Sequence, residues 1–187
     1  MNRAPDIEAV AGEVCEALRA NGVEAILVGG AVVSIYSKNE YQSFDLDFVA
    51  RGPDAAIIKA MDSIGFKKGK GRHFERADTV LIVEFLPPPP GIGKAIIRKF
   101  ARRRTSRGIL TLYDPTHCVM DRLAAFYHWS DQQGLEQAVL VSRRHRIRLE
   151  EIRKWSIEEG MADKYAEYEK LAGKKKGLRS GLRKKPG

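Results

Sequence analysis

The segment from residue 26 to residue 49, ILVGGAVVSIYSKNEYQSFDLDFV, constrains the fold more than any other part of the chain. An apolar run ends in Gly29 and Gly30, a helix-like segment follows, and a second apolar run opens with Asp45 and Asp47. Because alternate residues of a strand point to the same side, these two aspartates are predicted to share one face. Two crowded carboxylates repel each other unless a cation or protons lie between them. The spacing therefore predicts a divalent-metal site, with an ordinary surface pair as the alternative. The glycine pair before a helix predicts a phosphate-binding turn, with a purely structural turn from strand to helix as the alternative.

Hydrophobic periodicity predicts the other helices and strands of the chain. Helices are expected over residues 6–20, 30–37, 53–64, 116–129, 132–145, 148–159 and 161–172, and strands over residues 23–28, 44–50, 80–86 and 109–113. Phe74 is expected to lie in a hairpin-like pairing with residues 80–86, which four prolines then end. The spacing of Ile92, Ile96 and Ile97 favours a further helix within residues 91–108.

These elements indicate an α+β fold, with an α/β layer followed by helices. We expect three regions: a layer of sheet and flanking helices over residues 1–113, a helical region packed on it over residues 114–172, and a basic disordered tail over residues 173–187. The last 14 residues, KKKGLRSGLRKKPG, hold seven Lys and Arg and no acidic residue, out of a net charge of +9 for the whole chain.

Two further basic clusters lie inside the predicted fold. The first joins Arg98 and Lys99 to Arg102, Arg103, Arg104 and Arg107, and the second consists of Arg143, Arg144, Arg146 and Arg148. Such clusters and the tail are able to bind nucleic-acid phosphates, although solvated faces and a solubilising tail explain them equally well.

The chain has no apolar run of about 18 residues, so no membrane span is expected. The first ten residues lack the apolar core of a secretory signal, which favours a cytoplasmic protein. Cys15 and Cys118 lie among apolar residues and have no Cys or His at zinc-binding spacing. We expect both to be small buried hydrophobic residues.

Glu84 lies in the middle of the apolar run VLIVEFL. An ionised glutamate in a buried strand is costly unless it is paired, so a functional position explains it. Alternatively, the strand has a polar face and Glu84 points to solvent. Glu75 is the nearest substitute for it.

The order glycine pair, short helix and Asp-x-Asp on the next strand resembles the signature of the nucleotidyltransferase superfamily. The similarity is greatest to AbiEii-type and related uncharacterised proteins, whose pattern is matched by Gly29, Gly30, Ser43, Asp45 and Asp47 over roughly the first 90 residues. The resemblance implies a nucleotidyltransferase-like mixed sheet with flanking helices and a C-terminal helical region.

The resemblance also implies roles for individual residues. Asp45, Asp47 and Glu84 would be the catalytic residues and would hold two Mg²⁺ ions, and Glu84 would help to deprotonate the acceptor. Gly29 and Gly30 would cradle the triphosphate of an NTP substrate. Ser43 would contact a phosphate or cap a turn, two roles that the sequence does not separate.

Two positions depart from the family pattern. The family often places a basic residue just before the glycines or near the serine, where this chain has Val28 and Gln42. Lys38 or the arginines at 102–104 would be candidates to compensate for the missing positive charge.

On the helix expected over residues 116–129, Asp121 and Arg122 resemble a pair that related transferases place near the nucleotide, with Arg122 touching a phosphate. The alternative is an ordinary amphipathic helix, which the neighbouring apolar residues indicate.

The resulting expectation is a metal-dependent nucleotidyltransferase that moves an NMP from an NTP to an acceptor. RNA, in particular tRNA, is the favoured acceptor because of the basic tail and clusters, and a protein hydroxyl is the second choice. The resemblance also implies a toxin–antitoxin component with a cognate antitoxin as partner. The rival hypothesis is an inactive nucleotidyltransferase-fold module that binds nucleic acid or has a regulatory role.

Overall fold

The computed structural model describes residues 6–173, and this part of the chain forms seven helices and nine strands. The helices are α1 (Ile7–Ala20), α2 (Gly30–Ser37), α3 (Asp54–Ser63), α4 (Pro115–Trp129), α5 (Gln132–Ser142), α6 (Leu149–Glu158) and α7 (Ala162–Ala172). The strands are β1 (Glu24–Val28), β2 (Asp45–Arg51), β3 (Lys67–Lys68), β4 (His73–Glu75), β5 (Ile82–Leu86), β6 (Gly91–Ile92), β7 (Ala95–Ile96), β8 (Ala101–Thr105) and β9 (Gly108–Leu112).

Seven strands form one mixed sheet in the order β3-β4-β5-β2-β1-β9-β8. The central strand β1 pairs antiparallel with β2 and parallel with β9, while β2 pairs parallel with β5. Strands β6 and β7 form a separate two-stranded hairpin. The predicted α+β fold class is confirmed, and so is the antiparallel pairing of Phe74 with the strand of residues 80–86.

Helix α1 covers one face of the sheet. Its first turn is capped by Asp6, whose Oδ1 accepts a hydrogen bond from the backbone N–H of Ala9 at 3.0 Å. Val14 and Leu18 of α1 are fully buried, as are Leu110 and Leu112 of β9. Helix α1 also packs on α3, so this face and its two helices enclose the main apolar core.

The opposite face, which we call the hairpin face, carries the β6–β7 hairpin. The Tyr113 hydroxyl donates to the carbonyl of Gly91 at 3.4 Å, and the indole N–H of Trp155 donates to the carbonyl of Ile92 at 3.3 Å. These bonds attach the hairpin to the end of β9 and to α6.

The helix predicted within residues 91–108 is absent, which corrects the sequence-based expectation. These residues form the hairpin and then β8, which pairs antiparallel with β9 from Ala101 opposite Leu112 to Thr105 opposite Gly108. The isoleucine spacing matches a helix, but the segment starts after four prolines and continues into β8. Tertiary contacts therefore decide its conformation, and they override the local pattern.

The helical region contacts the sheet layer through α2. The rings of Tyr36 and His145 lie edge to face at 4.9 Å, and the Tyr36 hydroxyl donates to the carbonyl of Tyr113 at 2.8 Å. The predicted boundary between residues 113 and 114 falls where Asp114 caps α4 and stays a prediction. Apart from Gly173, the predicted tail lies outside the described residues.

Two further expectations concern burial. Cys15 and Cys118 are both buried and free, as predicted. Burial raises the pKa of the Cys15 thiol to about 11 and raises the pKa of the Cys118 thiol as well. Across residues 6–173, every helix is too short or too polar to cross a lipid bilayer.

Candidate active site

The glycine turn lies directly beside one of the predicted aspartates. Gly29 has φ 73° and ψ −153°, a conformation that is essentially restricted to glycine. A Cβ atom on Gly29 would lie 2.7 Å from Oδ2 of Asp47. A side chain at residue 29 is therefore excluded both by the backbone conformation and by the Asp47 carboxylate, which packs against the turn.

The sheet places three carboxylates on its hairpin face. Asp47 lies opposite Val28 of β1 on one side and opposite Glu84 of β5 on the other. Residues opposite each other on paired strands share a face, and Asp45 shares it too because it is two residues from Asp47. Asp45 is exposed, whereas Asp47 and Glu84 are partly buried. Glu84 therefore lies on a polar face of the sheet and is partly exposed. Its functional role and the alternative, a glutamate that only points to solvent, both stay predictions.

The environment of Asp47 disfavours its negative charge. Burial, followed by the neighbouring carboxylates of Asp45 and Glu84, raises its pKa from 3.8 to about 6. The Arg122 guanidinium acts in the opposite direction but does not cancel these effects. A cation near the three carboxylates would relieve this repulsion.

His73 also lies at the site, although no motif or spacing in the sequence singles it out. It lies opposite Glu84 on β4, and its Nε2 is 3.4 Å from Oε2 of Glu84. Residues 73 and 84 meet only through the β4–β5 pairing, so a periodic pattern of charged residues would not reveal the contact. Glu75, the predicted substitute for Glu84, lies two residues along β4 and is exposed.

Ser43 fixes the entry to β2. Its hydroxyl accepts a hydrogen bond from the backbone N–H of Asp45 at 3.3 Å and donates to the Asp45 carbonyl at 3.1 Å. Its own backbone N–H donates to the Ser34 hydroxyl of α2 at 2.8 Å. Ser43 thus makes the turn contacts that the sequence allowed, and its contact with a phosphate stays a prediction.

Helix α4 brings Asp121 and Arg122 to the same region. Arg122 Nε donates to Oδ2 of Asp121 at 3.1 Å, and both side chains are about one-fifth exposed, at 19% and 20%. Although burial opposes the charged form of Arg122, the nearby Asp121 carboxylate outweighs it, and the pKa of Arg122 is raised. Arg122 is therefore charged, lies within electrostatic reach of Asp47, and already has an acidic partner.

The donor set fits a hard divalent cation. Asp45, Asp47 and Glu84 offer only carboxylate oxygens, which Mg²⁺ prefers over the His and Cys ligands typical of zinc. Within residues 6–173, no three His, Cys, Asp or Glu side chains are gathered closely enough to form a ready-made metal site. Side-chain rotation within this carboxylate group would have to bring the ligand oxygens together.

A cavity of about 1050 Å³ opens between the segment after α2 and helices α5 and α7. Tyr41 belongs to its lining, and the Tyr41 hydroxyl oxygen would lie 3.5 Å from a Cβ atom placed on Gly30. The rest of the lining comes from Glu40, from α5 and the two arginines after it, and from the end of α7, and it includes Gln137 and Leu171. Tyr41 thus connects the cavity to the glycine turn, but neither the two glycines nor the three carboxylates belong to its lining.

Comparison with known proteins identifies a fold. No protein-family model matches the chain, and no curated protein is significantly similar to it in sequence. A solved structure, described as an antigenic nucleotidyltransferase-like protein from Paracoccidioides brasiliensis, is similar with a TM-score of 0.56 and 11% sequence identity. The match covers 73% of this chain and 75% of that protein. The chain thus has a nucleotidyltransferase-like fold, and its narrower resemblance to AbiEii-type proteins stays a prediction.

Proposed function

We propose that the protein is a metal-dependent nucleotidyltransferase, which moves an NMP from an NTP to an acceptor hydroxyl. One observation carries the proposal: Asp45, Asp47 and Glu84 share one face of adjacent strands, directly beside the Gly29 turn. The raised pKa of Asp47 supports it, because the group is arranged at a cost that a bound cation would remove.

The chain's own groups have distinct roles in this reaction. The Gly29–Gly30 turn and the first amides of α2 face the anionic triphosphate, since a helix N-terminus favours negative charge. Asp45, Asp47 and Glu84 would hold two Mg²⁺ ions, which supply charge neutralisation at the phosphates and at the attacking oxygen. Arg122 adds positive charge near Asp47, and Ser43 holds the start of β2 in place.

The proposed reaction is a single displacement at the α-phosphorus of the NTP. The acceptor oxygen forms a bond to the α-phosphorus, and the bond from that phosphorus to the bridging oxygen of the β-phosphate breaks. The pyrophosphate leaves with the electron pair of that bond, and the acceptor proton passes to the Glu84 carboxylate. His73, 3.4 Å from that carboxylate, positions it.

The test is isothermal titration of each NTP with Mg²⁺ into wild type and into the D45N/D47N variant. We expect wild type to bind at least one NTP in a metal-dependent manner and the variant to bind roughly 10-fold more weakly or not at all. The D54N/D163N variant is the matched control, because both of its aspartates are exposed on α3 and α7 and its net charge changes equally. Equal binding by wild type and D45N/D47N would refute the site.

The second candidate is an inactive module with the same fold. Two observations favour it: Val28 and Gln42 stand where the family often has a basic residue, and Arg122 is already paired with Asp121. In this case no NTP would bind in the presence of Mg²⁺. The protein acceptor and the toxin–antitoxin role implied by the resemblance gain no support from the geometry of residues 6–173.

A further inference from the structure

The two arginine clusters inside the fold differ in how their charges are used. In the second cluster, Arg143 donates to the carbonyl of Leu171 at 2.7 Å, and Arg144 forms an ion pair with Glu40. Arg148 is bound to Asp114 at 3.0 Å and also to Glu151. Three of its four arginines therefore connect helices and loops of the fold.

The first cluster is divided by the alternation of β8. Arg103 points to the α1 side, where its Nε lies 3.0 Å from Oε1 of Glu8. Arg102 and Arg104 therefore point to the hairpin face. Within residues 6–173, both side chains are exposed and make no hydrogen bond or ion pair, and the same holds for the side chain of Arg98 just before the strand.

Strand pairing sets the neighbours of these free arginines. Arg102 lies opposite Thr111 of β9, and the parallel pairing of Leu112 with Leu27 places Ile26 of β1 in the same row. Ile26 in turn lies opposite Val49 of β2. Arg102 is therefore two strands, or about 10 Å, from Ile26 on the same face.

A cavity of about 510 Å³, lined mostly by apolar residues, opens at this place, and the charged residues Glu24 and Arg51 also belong to its lining. Ile26, Val49 and Phe100 belong to its lining on the sheet side, and the prolines at 88–90 and residues 96–98 close it on the hairpin side. Arg98 stands at its margin, and Ile96, also in the lining, is 54% exposed. We call Arg98, Arg102, Arg104 and this cavity the basic face.

Exposed arginines on an edge strand have an ordinary explanation, because charge on an edge discourages pairing with other chains. That explanation requires charge along β8 but does not account for an apolar cavity beside it on the same face. A planar base fits an apolar cavity that includes an aromatic ring, while spaced arginines fit successive phosphates.

We propose that the basic face binds single-stranded nucleic acid, with a base in the cavity and phosphates on Arg98, Arg102 and Arg104. Its role as the acceptor site rests on the proposed nucleotidyltransferase function. Binding itself does not depend on that function, since it follows from charge and shape on a different part of the sheet face. Val49 of the cavity and Asp47 of the carboxylate group are two residues apart on β2 and share the hairpin face.

The test is fluorescence anisotropy of a labelled single-stranded uridine oligonucleotide with the full-length chain at several salt concentrations. We expect the R102A/R104A variant to bind roughly 10-fold more weakly, and its plot of log K against log salt to be less steep by about 1.4, which corresponds to two lost phosphate contacts. The I96S variant, which keeps all charges, should also bind more weakly because it removes an apolar contact with the base.

The matched control is K59A/K70A, which removes two exposed lysines, one on α3 and one in the turn between β3 and β4 near the other edge of the sheet. It should bind as wild type does. Equal losses in both double variants, or no loss in R102A/R104A, would overturn the proposal, and so would binding to anionic lipid vesicles without binding to the oligonucleotide. If R102A/R104A loses the oligonucleotide while wild type binds no NTP, the proposed reaction fails and the basic face stands.

Discussion

Asp47 is the residue whose ionisation reports most directly on the candidate site. Its pKa is about 6 in the folded protein, against 3.8 ordinarily, mainly because of burial and then because of Asp45 and Glu84. Between pH 3.8 and about pH 6, the Asp47 carboxyl is therefore protonated to a greater extent in the folded protein than in the unfolded chain. It follows that ionised Asp47 destabilises the fold, and that this cost grows as the pH rises through the interval.

The D47N substitution replaces the carboxyl by a neutral amide and therefore removes the cost of the buried charge. We expect the variant to be more stable than wild type at about pH 7.5, by on the order of 1–2 kcal/mol after solvent screening, and the difference to vanish near pH 4. Urea denaturation at the two pH values measures it. Saturating Mg²⁺ should raise the melting temperature of wild type at about pH 7.5 but not that of D47N. A variant less stable than wild type at both pH values would contradict this account of Asp47.

At this scale the sequence predicts residues on one strand better than residues that meet across strands. Asp45 and Asp47 share a face because the strand period is two, and this was predictable from their spacing alone. Glu84 was selected with the help of the resemblance, and its position opposite Asp47 comes from the β2–β5 pairing. His73 was not predictable, because its contact with Glu84 exists only through the β4–β5 pairing.

Among the elements, the hairpin of β6 and β7 shows where local pattern fails. Two-residue strands are too short to leave a period in the sequence, so Ile92, Ile96 and Ile97 were interpreted as one side of a helix. The hairpin depends instead on distant residues, since Trp155 and Tyr113 hydrogen-bond to its backbone. The long helices α1 and α4 were predictable because each carries its own capping aspartate and apolar stripe.

Glu159, directly after α6, is a further distant anchor of the hairpin. Its side chain is only 2% exposed, its Oε1 accepts a hydrogen bond from the backbone N–H of Lys94 at 2.6 Å, and its Oε2 lies 3.4 Å from Nε2 of His128. The E159A variant removes both this acceptor for the Lys94 N–H and the buried carboxylate beside His128. We expect a loss of about 1–3 kcal/mol in the free energy of unfolding, measured by urea denaturation.

The neighbouring residue provides the control for this change. Glu158 is largely exposed and lies 4.0 Å from Lys154, so E158A should change the stability by less than about 0.5 kcal/mol. Similar stabilities for the two variants would show that the hairpin does not depend on the Glu159 carboxylate.

At the scale of the whole molecule, the sequence shows where the positive charge lies but not which of the charged side chains are paired. The uneven net charge was visible in the sequence, but which arginines are free was not, because Arg103 and Arg107 find partners in Glu8 and Glu13 of α1. Those pairs follow from the packing of α1 on β8 and β9, a long-range arrangement. The sequence could therefore locate basic clusters, whereas only the fold separates the arginines that pair within it from those whose side chains do not.

The sheet layer and the helical region should unfold together. Tyr36 of α2 contacts both, because its hydroxyl donates to the Tyr113 carbonyl and its own carbonyl lies 2.8 Å from Nε2 of His145. We expect urea unfolding followed by far-UV circular dichroism and by fluorescence of the buried Trp155 to give one common midpoint. Removing the hydroxyl in Y36F should lower both midpoints equally and lower the free energy of unfolding by about 1–2 kcal/mol.

Y165F is the control, since the Tyr165 hydroxyl bonds only within α7 to Glu169 and its loss should have a smaller effect. Two separate midpoints would mean that residues 114–172 fold as an independent unit, because only uncoupled regions can lose their structure at different urea concentrations.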